Sequence, residues 1–329
     1  MSLVTKLDRN SFKSHSVMIP RSLTELDLAA CLELLPSEYW ASNESREPLR
    51  QFWASVLEHQ ATEAFGVFSH HASGGVDPIS FGLSFFATPD FKDWLLKSGH
   101  SGAADEAVRR WQAGNCPFLN HDEVRKANGG AGLDLVTLWY GYRLLDHEAN
   151  YAVQRHAETF IQSYAGYRIR EVIALAYTKE NRRILGNLGL QLRRNLTCPL
   201  TGPGSASMLG LTTAEFPHQL GSLAAGFMRY TPPRLFLSDA EQILLRTALD
   251  GQRDQELCHI LGVSIAAIKK RWLSIYAKSV PILGEASLEE EHSERRGPEK
   301  KRRILAYVRL HPEELRPVKR RRGKWASTL

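Results

Sequence analysis

At Leu235 the sequence changes period, and that change constrains the fold more than any other feature. Before it, strand-like apolar runs alternate with helical spacings; after it, apolar residues recur at i, i+3 and i+4. Between Pro199 and Pro233 a Gly-, Ser-, Thr- and Pro-rich stretch (PLTGPGSASMLGLTT, later RYTPP) reads as a connection with one helical segment near 220–228. The expected division is therefore an α/β part over residues 17–199, a linker over 200–233, an all-α part over 234–282 and a basic tail with one helix over 283–329. A chain of 329 residues holds one sizeable domain and a smaller one.

In the first part, Ser22-Leu23-Thr24-Glu25 has capping-box spacing and predicts a helix over Ser22–Leu35, with Leu23, Leu26, Ala30 and Leu34 inward. A second helix is expected over Pro48–Glu58. The runs AFGVFSH and ISFGLSFFA flank HASGGVDP, which reads as a hairpin loop. Residues 90–131 read as an insertion with a short helix at Ala103–Trp111. A strand over Leu133–Leu144, a helix over Val153–Tyr164, a strand over Glu171–Tyr177 and a helix over Lys179–Leu188 complete the order. The expected fold class is α/β (α+β), a central mixed, largely antiparallel sheet flanked by helices.

The second part resolves into three closely spaced helices. Ser238 caps the first with Glu241 three residues on, and Gly251 ends it. The second covers Asp254–Leu261, Gly262 supplies a sharp turn, and Ser264 caps the third. Ile268, Trp272 and Ile275 share the inward side of that helix. Ser264, Ile265, Ala266, Lys269, Lys270 and Arg271 are left as the candidate DNA contacts, small residues for close approach and cations for phosphates or guanine edges.

This segment resembles the helix-turn-helix domain of LuxR-type bacterial transcription regulators. The family's opening Leu-Ser-x-x-Glu is matched by Leu237, Ser238 and Glu241, its central stretch by Glu256-Leu257-Cys258 and Leu261-Gly262, and its last helix by Ser264, Ile268 and Lys269, with Ala267 and Arg271 at the Thr and His positions. Region 4 of sigma factors is similar over the same residues. The resemblance implies a DNA-binding transcription regulator controlled through its N-terminal part, with double-stranded DNA, RNA polymerase and an effector or protein partner as expected partners, acting as a homodimer. The element order of residues 17–195 resembles the GNAT acetyltransferase fold, with Leu188-Gly189-Leu190 at that family's Leu-Gly-Phe. That second likeness implies the alternative, a GNAT-like acyltransferase with a basic, nucleic-acid-targeting C-terminal region. Against catalysis, the stretch LLDHEANYAVQRHAE lacks the Gly-containing loop that holds the coenzyme A pyrophosphate in the family. The family's Asn falls at Thr178 and its general-acid Tyr at Leu185. No catalytic residue, cofactor or metal is therefore expected. Asp146-His147-Glu148 and His70-His71 lack metal spacing, while Trp139, Tyr140 and Tyr142 read as core or sheet-face aromatics beside a possible effector pocket.

Charge is uneven. Residues 231–329 carry about 20 Lys and Arg against about 13 Asp and Glu, so this third holds the whole formal excess of +6. Its basic runs are Arg295-Arg296, Lys300–Arg303 and Lys319–Arg322; over Lys300–Leu310 a helix with Ile304, Leu305 and Val308 inward would flank DNA, mediate self-association or dock on its own domain. The cysteines Cys31, Cys116, Cys198 and Cys258 form no C-x-x-C pair, which excludes a disulfide framework or zinc cluster as the organising principle. With no secretion signal and no span-length apolar run, the expectation is a cytoplasmic protein without membrane contact.

Overall fold

The computed structural model describes residues 17–35, 46–58, 64–70, 75–99, 101–143, 146–198, 202–216, 224–284 and 296–319; the side chains at 17, 146–151, 198, 202–205 and 296–298 lie outside that description. Among the described residues seven strands form one sheet in the order β1-β2-β3-β4-β5-β7-β6. They are β1 (Val17–Ser22), β2 (Phe65–His70), β3 (Val76–Phe86), β4 (Leu133–Tyr142), β5 (Ile169–Ala176), β6 (Gln191–Cys198) and β7 (Gly202–Thr212). Every neighbouring pair is antiparallel except β4 with β5, which is parallel. A parallel pair needs a crossover, and the helix α6 (Asp146–Tyr164) supplies it.

The first expected helix is corrected. Val17–Ser22 pairs along its whole length with β2, so Ser22 ends a strand instead of capping a helix. The capping box is formed two residues later by Thr24 and Asp27, held by Arg21 at 2.7 Å from Asp27, and α1 covers only Leu28–Leu32. Leu26, expected inward, is 93% exposed. Helix α2 (Arg46–Glu58) follows expectation and buries Leu49, Phe52, Trp53 and Val56.

The insertion is more ordered than its sequence suggested. Besides α4 (Ala103–Gln112) it contains α3 (Pro89–Ser98) and α5 (His121–Asn128). Both carry readable start signals. Thr88 caps α3 with Pro89 at the first helical position, and Asn120 and Glu123 form a capping box on α5.

Gly202–Thr212 was expected to begin a linker and is instead β7, an interior strand between β5 and β6. Its Gly, Ser and Ala residues have weak strand propensity, but Met208, Leu209 and Leu211 are buried against both sheet faces, and that burial outweighs propensity. Helix α7 (Lys179–Asn187) joins β5 to β6, and α8 (Ala225–Met228) closes this part.

Two apolar layers sandwich the sheet. On one face α1 to α4 bury Phe52, Trp53, Phe81, Phe85, Phe91 and Trp139. On the other, α5 to α8 bury Phe86, Leu135, Tyr164, Val172 and Phe227. The expected mixed, largely antiparallel sheet with helices on it is what the chain forms.

Helices α9 (Asp239–Leu249), α10 (Asp254–Leu261), α11 (Ile265–Leu283) and α12 (Arg296–Leu310) surround a third core of Leu244, Leu245, Leu257, Ile268, Trp272, Ile275, Ile304 and Val308. The local signals read from the sequence are present: Ser238 and Glu241 form a capping box, Gly262 takes φ +61°, and Ser264 accepts from the Ala267 amide at 3.2 Å. Helix α12 docks on its own module, where Lys301 lies 5.1 Å from the Trp272 ring centre and pairs with Asp254.

Residues 311–319 then run back between the two modules. Glu314 accepts from the Arg234 and Leu235 amides, both at 2.9 Å, and Gln242 donates to the Glu314 and Arg316 carbonyls. Arg316 donates to the Gln162 and Ala165 carbonyls at the end of α6, and Asn128 on α5 donates to the Pro317 carbonyl. An Arg125–Asp239 pair joins α5 to α9. Among the described residues no helix is long and apolar enough to cross a membrane.

Candidate active site

Strands β4 and β5 pair from Leu133–Ile169 to Thr137–Ala174 and then part. The register of β4 against β3 jumps at the same point, because Leu83 faces Trp139 and Ser84 faces Thr137, leaving Leu138 as an extra residue. A bulge of this kind bends its strand and sharpens its twist. Here it turns the last five residues of β4 away from β5. The gap lies at the carboxyl end of a parallel pair, the edge where such sheets expose ligand crevices.

Beneath the gap is a cavity of about 30 Å³, space for one or two water-sized groups. Thr137 and Tyr140 of β4, Ala174 of β5, His156 and Ala157 of α6, and Leu185 of α7 are among its walls. The bulge explains why neighbouring aromatics separate: Trp139 lies in the other core beside Trp53, whereas Tyr140 lines the cavity. Core packing thus accounts for Trp139 and not for Tyr140.

Polar groups are few and placed. Ser84 and Thr137 share a 2.7 Å hydrogen bond, and Ser80 contacts His156 Nδ1 at 3.1 Å. Burial holds the His156 imidazole down to about 3, so the ring is neutral near pH 7. Gly82 lets α6 approach, since a Cβ there would sit 2.8 Å from His156 Nε2. Asn181 donates to the Tyr140 carbonyl at 3.5 Å, a carbonyl that no β5 residue pairs.

Tyr140 is 7% exposed, and its ring packs against His156 at 4.6 Å and Tyr142 at 5.5 Å between centroids. Burial raises its pKa, and the neighbouring Tyr142 and Glu180 add to the rise, so it remains a donor. Tyr142, half-buried at the strand end, is raised by burial and partly restored by a hydrogen bond to Thr178.

Thr178 caps α7 and accepts from the Asn181 amide at 3.0 Å. Leu185, at the position expected for a general acid, presents only apolar atoms to the cavity. Sequence reasoning placed Tyr140 among sheet-face aromatics and missed His156. The available signal for His156 was its helical spacing from Ala152, Val153 and Phe160, which puts a lone imidazole on an otherwise apolar face.

The sequence-predicted DNA contacts sit far along the chain at the start of α11. Ser264, Ile265, Ala266, Lys269 and Lys270 are exposed and Arg271 half-exposed, with Ile265 at 43%. They share no wall with the cavity. Of the basic runs, Lys301, Arg302 and Arg303 are engaged by Asp254 or Glu299, and Arg295 and Arg320–Arg322 lie outside the described residues, as does His71. Among the described residues no group of His, Cys, Asp and Glu is arranged to hold a metal.

No family model matches the chain, and no curated protein matches it. Solved structures do. FeeM, an N-acyl amino acid synthase from uncultured soil microbes, is 14% identical, with 65% of this chain and 99% of that one covered at a TM-score of 0.37. An N-acetyltransferase from Staphylococcus aureus is 12% identical over 60% of this chain and 99% of its own, at 0.33. An aminoglycoside acetyltransferase solved with coenzyme A is 14% identical over 61% and 98%, at 0.34.

The N-terminal part forms a mixed α/β fold around one seven-stranded sheet. Its own strand order, with one parallel pair that parts over a cavity, realises the element order that the sequence suggested. The expectation of a LuxR-type transcription regulator is corrected: the solved structures found are N-acyl- and N-acetyltransferases. The correction has a physical reason in the sequence. Capping, turn and inward spacing determine how α9 to α11 pack, and the same signals serve any compact helical module.

Proposed function

We propose that the chain is a GNAT-like acyltransferase that moves an acyl group from a thioester to an amine, with a basic C-terminal region that contacts nucleic acid. The observation that carries the reading is the parting of β4 and β5 over an apolar cavity that Tyr140 lines. The apolar walls suit the acyl group, and the phenol suits its carbonyl. Attack by the amine forms a C–N bond as the C–S bond breaks, and the electron pair leaves on sulfur. The amine's surplus proton passes to water. A hydrogen bond from Tyr140 to the carbonyl oxygen strengthens as negative charge develops there, an effect worth about 3 kcal/mol at comparable sites.

The test is thiol release from S-acetyl-pantetheine and acetyl-CoA, with and without a mixture of amino acids, polyamines and a basic peptide. Amine-dependent release above hydrolysis is expected, with the acylated amine identified by mass. Ala157→Phe, which fills the cavity, is expected to lower the rate at least tenfold while the protein stays folded. Amine-independent release for every pair would overturn the reading.

For the C-terminal region, exposed Ser264, Ile265, Ala266, Lys269 and Lys270 and half-exposed Arg271, at the start of α11, supply the contact face toward double-stranded DNA or another nucleic acid. Binding to an arbitrary 30-base-pair duplex is expected to weaken steeply with salt. Removing two phosphate contacts by the double change Lys269→Ala and Lys270→Ala should lower the log–log salt slope by about 2. An unchanged slope would remove these residues from the interface.

A further inference from the structure

The cavity beneath the parted strands owes its space to three small residues on its walls, Gly82 on β3, Ala157 on α6 and Ala174 on β5. Its limit is set by Phe160. That ring is the last residue of α6 on the cavity wall, and behind it the core is filled: Tyr164 lies 4.9 Å away and Phe227 5.3 Å between ring centroids, both fully buried. Phe65 stands 6.2 Å to the side. A group that enters from the gap therefore meets a floor that has nowhere to retreat.

The space above that floor, about 30 Å³, holds one or two water-sized groups. The methyl of an acetyl group fits, and so does the ethyl of a propionyl group. A longer chain must press Phe160 into its neighbours, and a close-packed interior resists each added methylene. Polarity narrows the class again. The wall hydroxyls of Ser84 and Thr137 are paired with each other, Ser80 engages His156 Nδ1, and among the described residues no Asp, Glu, Lys or Arg side chain lines the cavity. A carboxylate at the end of an acyl chain would be buried there without a cation, at high cost.

From size and polarity together we infer that the acyl group transferred is short and uncharged, two or three carbons long, and that Phe160 is the residue that sets the limit. The inference rests on the acyltransferase reading and specifies its acyl group. Phe160 meets the far end of the chain and takes no part in the bond changes at the carbonyl.

The experiment follows amine-dependent thiol release by the full chain from S-acyl-pantetheines that carry acetyl, propionyl, butyryl, hexanoyl or succinyl groups. Acetyl and propionyl are expected within about fivefold of each other in kcat/KM and butyryl at least about tenfold below acetyl, the scale of one excess methylene in a closed apolar pocket. Hexanoyl and succinyl should give no measurable turnover. Phe160→Ala removes the floor and should raise the butyryl-to-acetyl ratio of kcat/KM at least about tenfold. Phe160→Leu, a gentler change that keeps the core largely filled, should raise the ratio about threefold, so the limit can be read even where Phe160→Ala does not fold. Hexanoyl or succinyl turnover equal to that of acetyl, or an unchanged ratio in whichever variant folds, would overturn the inference and leave the acyltransferase reading standing. No amine-dependent release from any of these thioesters or from acetyl-CoA would overturn both.

Discussion

Gly166→Ala is expected to cost the protein more stability than a methyl added at any other described glycine. Gly166 sits just past α6 with φ +84°, a region that L side chains enter at a cost of about 1–2 kcal/mol. Space adds a second penalty. A Cβ would lie 2.4 Å from the Glu313 amide nitrogen and 2.6 Å from its Cα, and backbone cannot rotate aside as a side-chain end does. Overpacking of this kind costs about 1–3 kcal/mol more.

The strap over residues 311–319 must then shift, and much is tied to it: Arg316 on the Gln162 and Ala165 carbonyls, Asn128 on the Pro317 carbonyl, and Glu314 on the Arg234 and Leu235 amides. A total of about 3–4 kcal/mol corresponds to a fall in Tm of roughly 6–16 °C for a unit of this size. Scanning calorimetry gives the fall, and limited proteolysis between Leu310 and Lys319 reports whether the strap has left α6. An unchanged Tm would show that the strap moves freely and does not join the modules.

That junction was invisible to pattern reading, and the reason is general. Periodicity and caps report which face of an element is buried and where it stops, so α2, α4, α7, α9, α10 and the inward row Ile268, Trp272 and Ile275 were legible. They do not report what covers the face. The strap over 311–319 reads as a polar, Pro-containing end, and Arg316 is buried where α6 supplies the Gln162 and Ala165 carbonyls, Glu314 where Arg234 and Leu235 supply amides.

The strand β7 failed for a related reason, since its Gly- and Ser-rich sequence is held by β5 and β6 on either side. Of the candidate site, the sequence offered only a pocket for an effector beside a strand end. The bulge at Leu138 was not foreseen, although it decides that Trp139 and Tyr140 serve different cores. A one-residue register jump leaves no trace in a run where nearly every position is buried on both faces.

Acid is expected to unfold the N-terminal part through His156. In the unfolded chain its imidazole titrates near 6.5, whereas in the fold burial lowers it to about 3. Between those values the unfolded state binds a proton that the native state refuses. Stability is therefore full above pH 6.5 and declines as pH falls toward 3. From pH 7 to pH 4.5 the expected loss is about 3 kcal/mol.

The groups packed on the ring support a neutral state: Ser80 on β3 at Nδ1, the Phe65 and Tyr140 rings each 4.6 Å away by centroid, and no carboxylate among the contacts of the described residues. Other carboxylates and histidines add their own pH dependence, so the wild type must be compared with His156→Asn, which keeps a polar group toward Ser80 and cannot take up the proton. Urea unfolding at the two pH values should show the wild type losing about 3 kcal/mol more than the variant. Equal losses would mean that α6 opens enough to hydrate the ring without unfolding. The cavity that α6 walls would then have a route to solvent through the same movement.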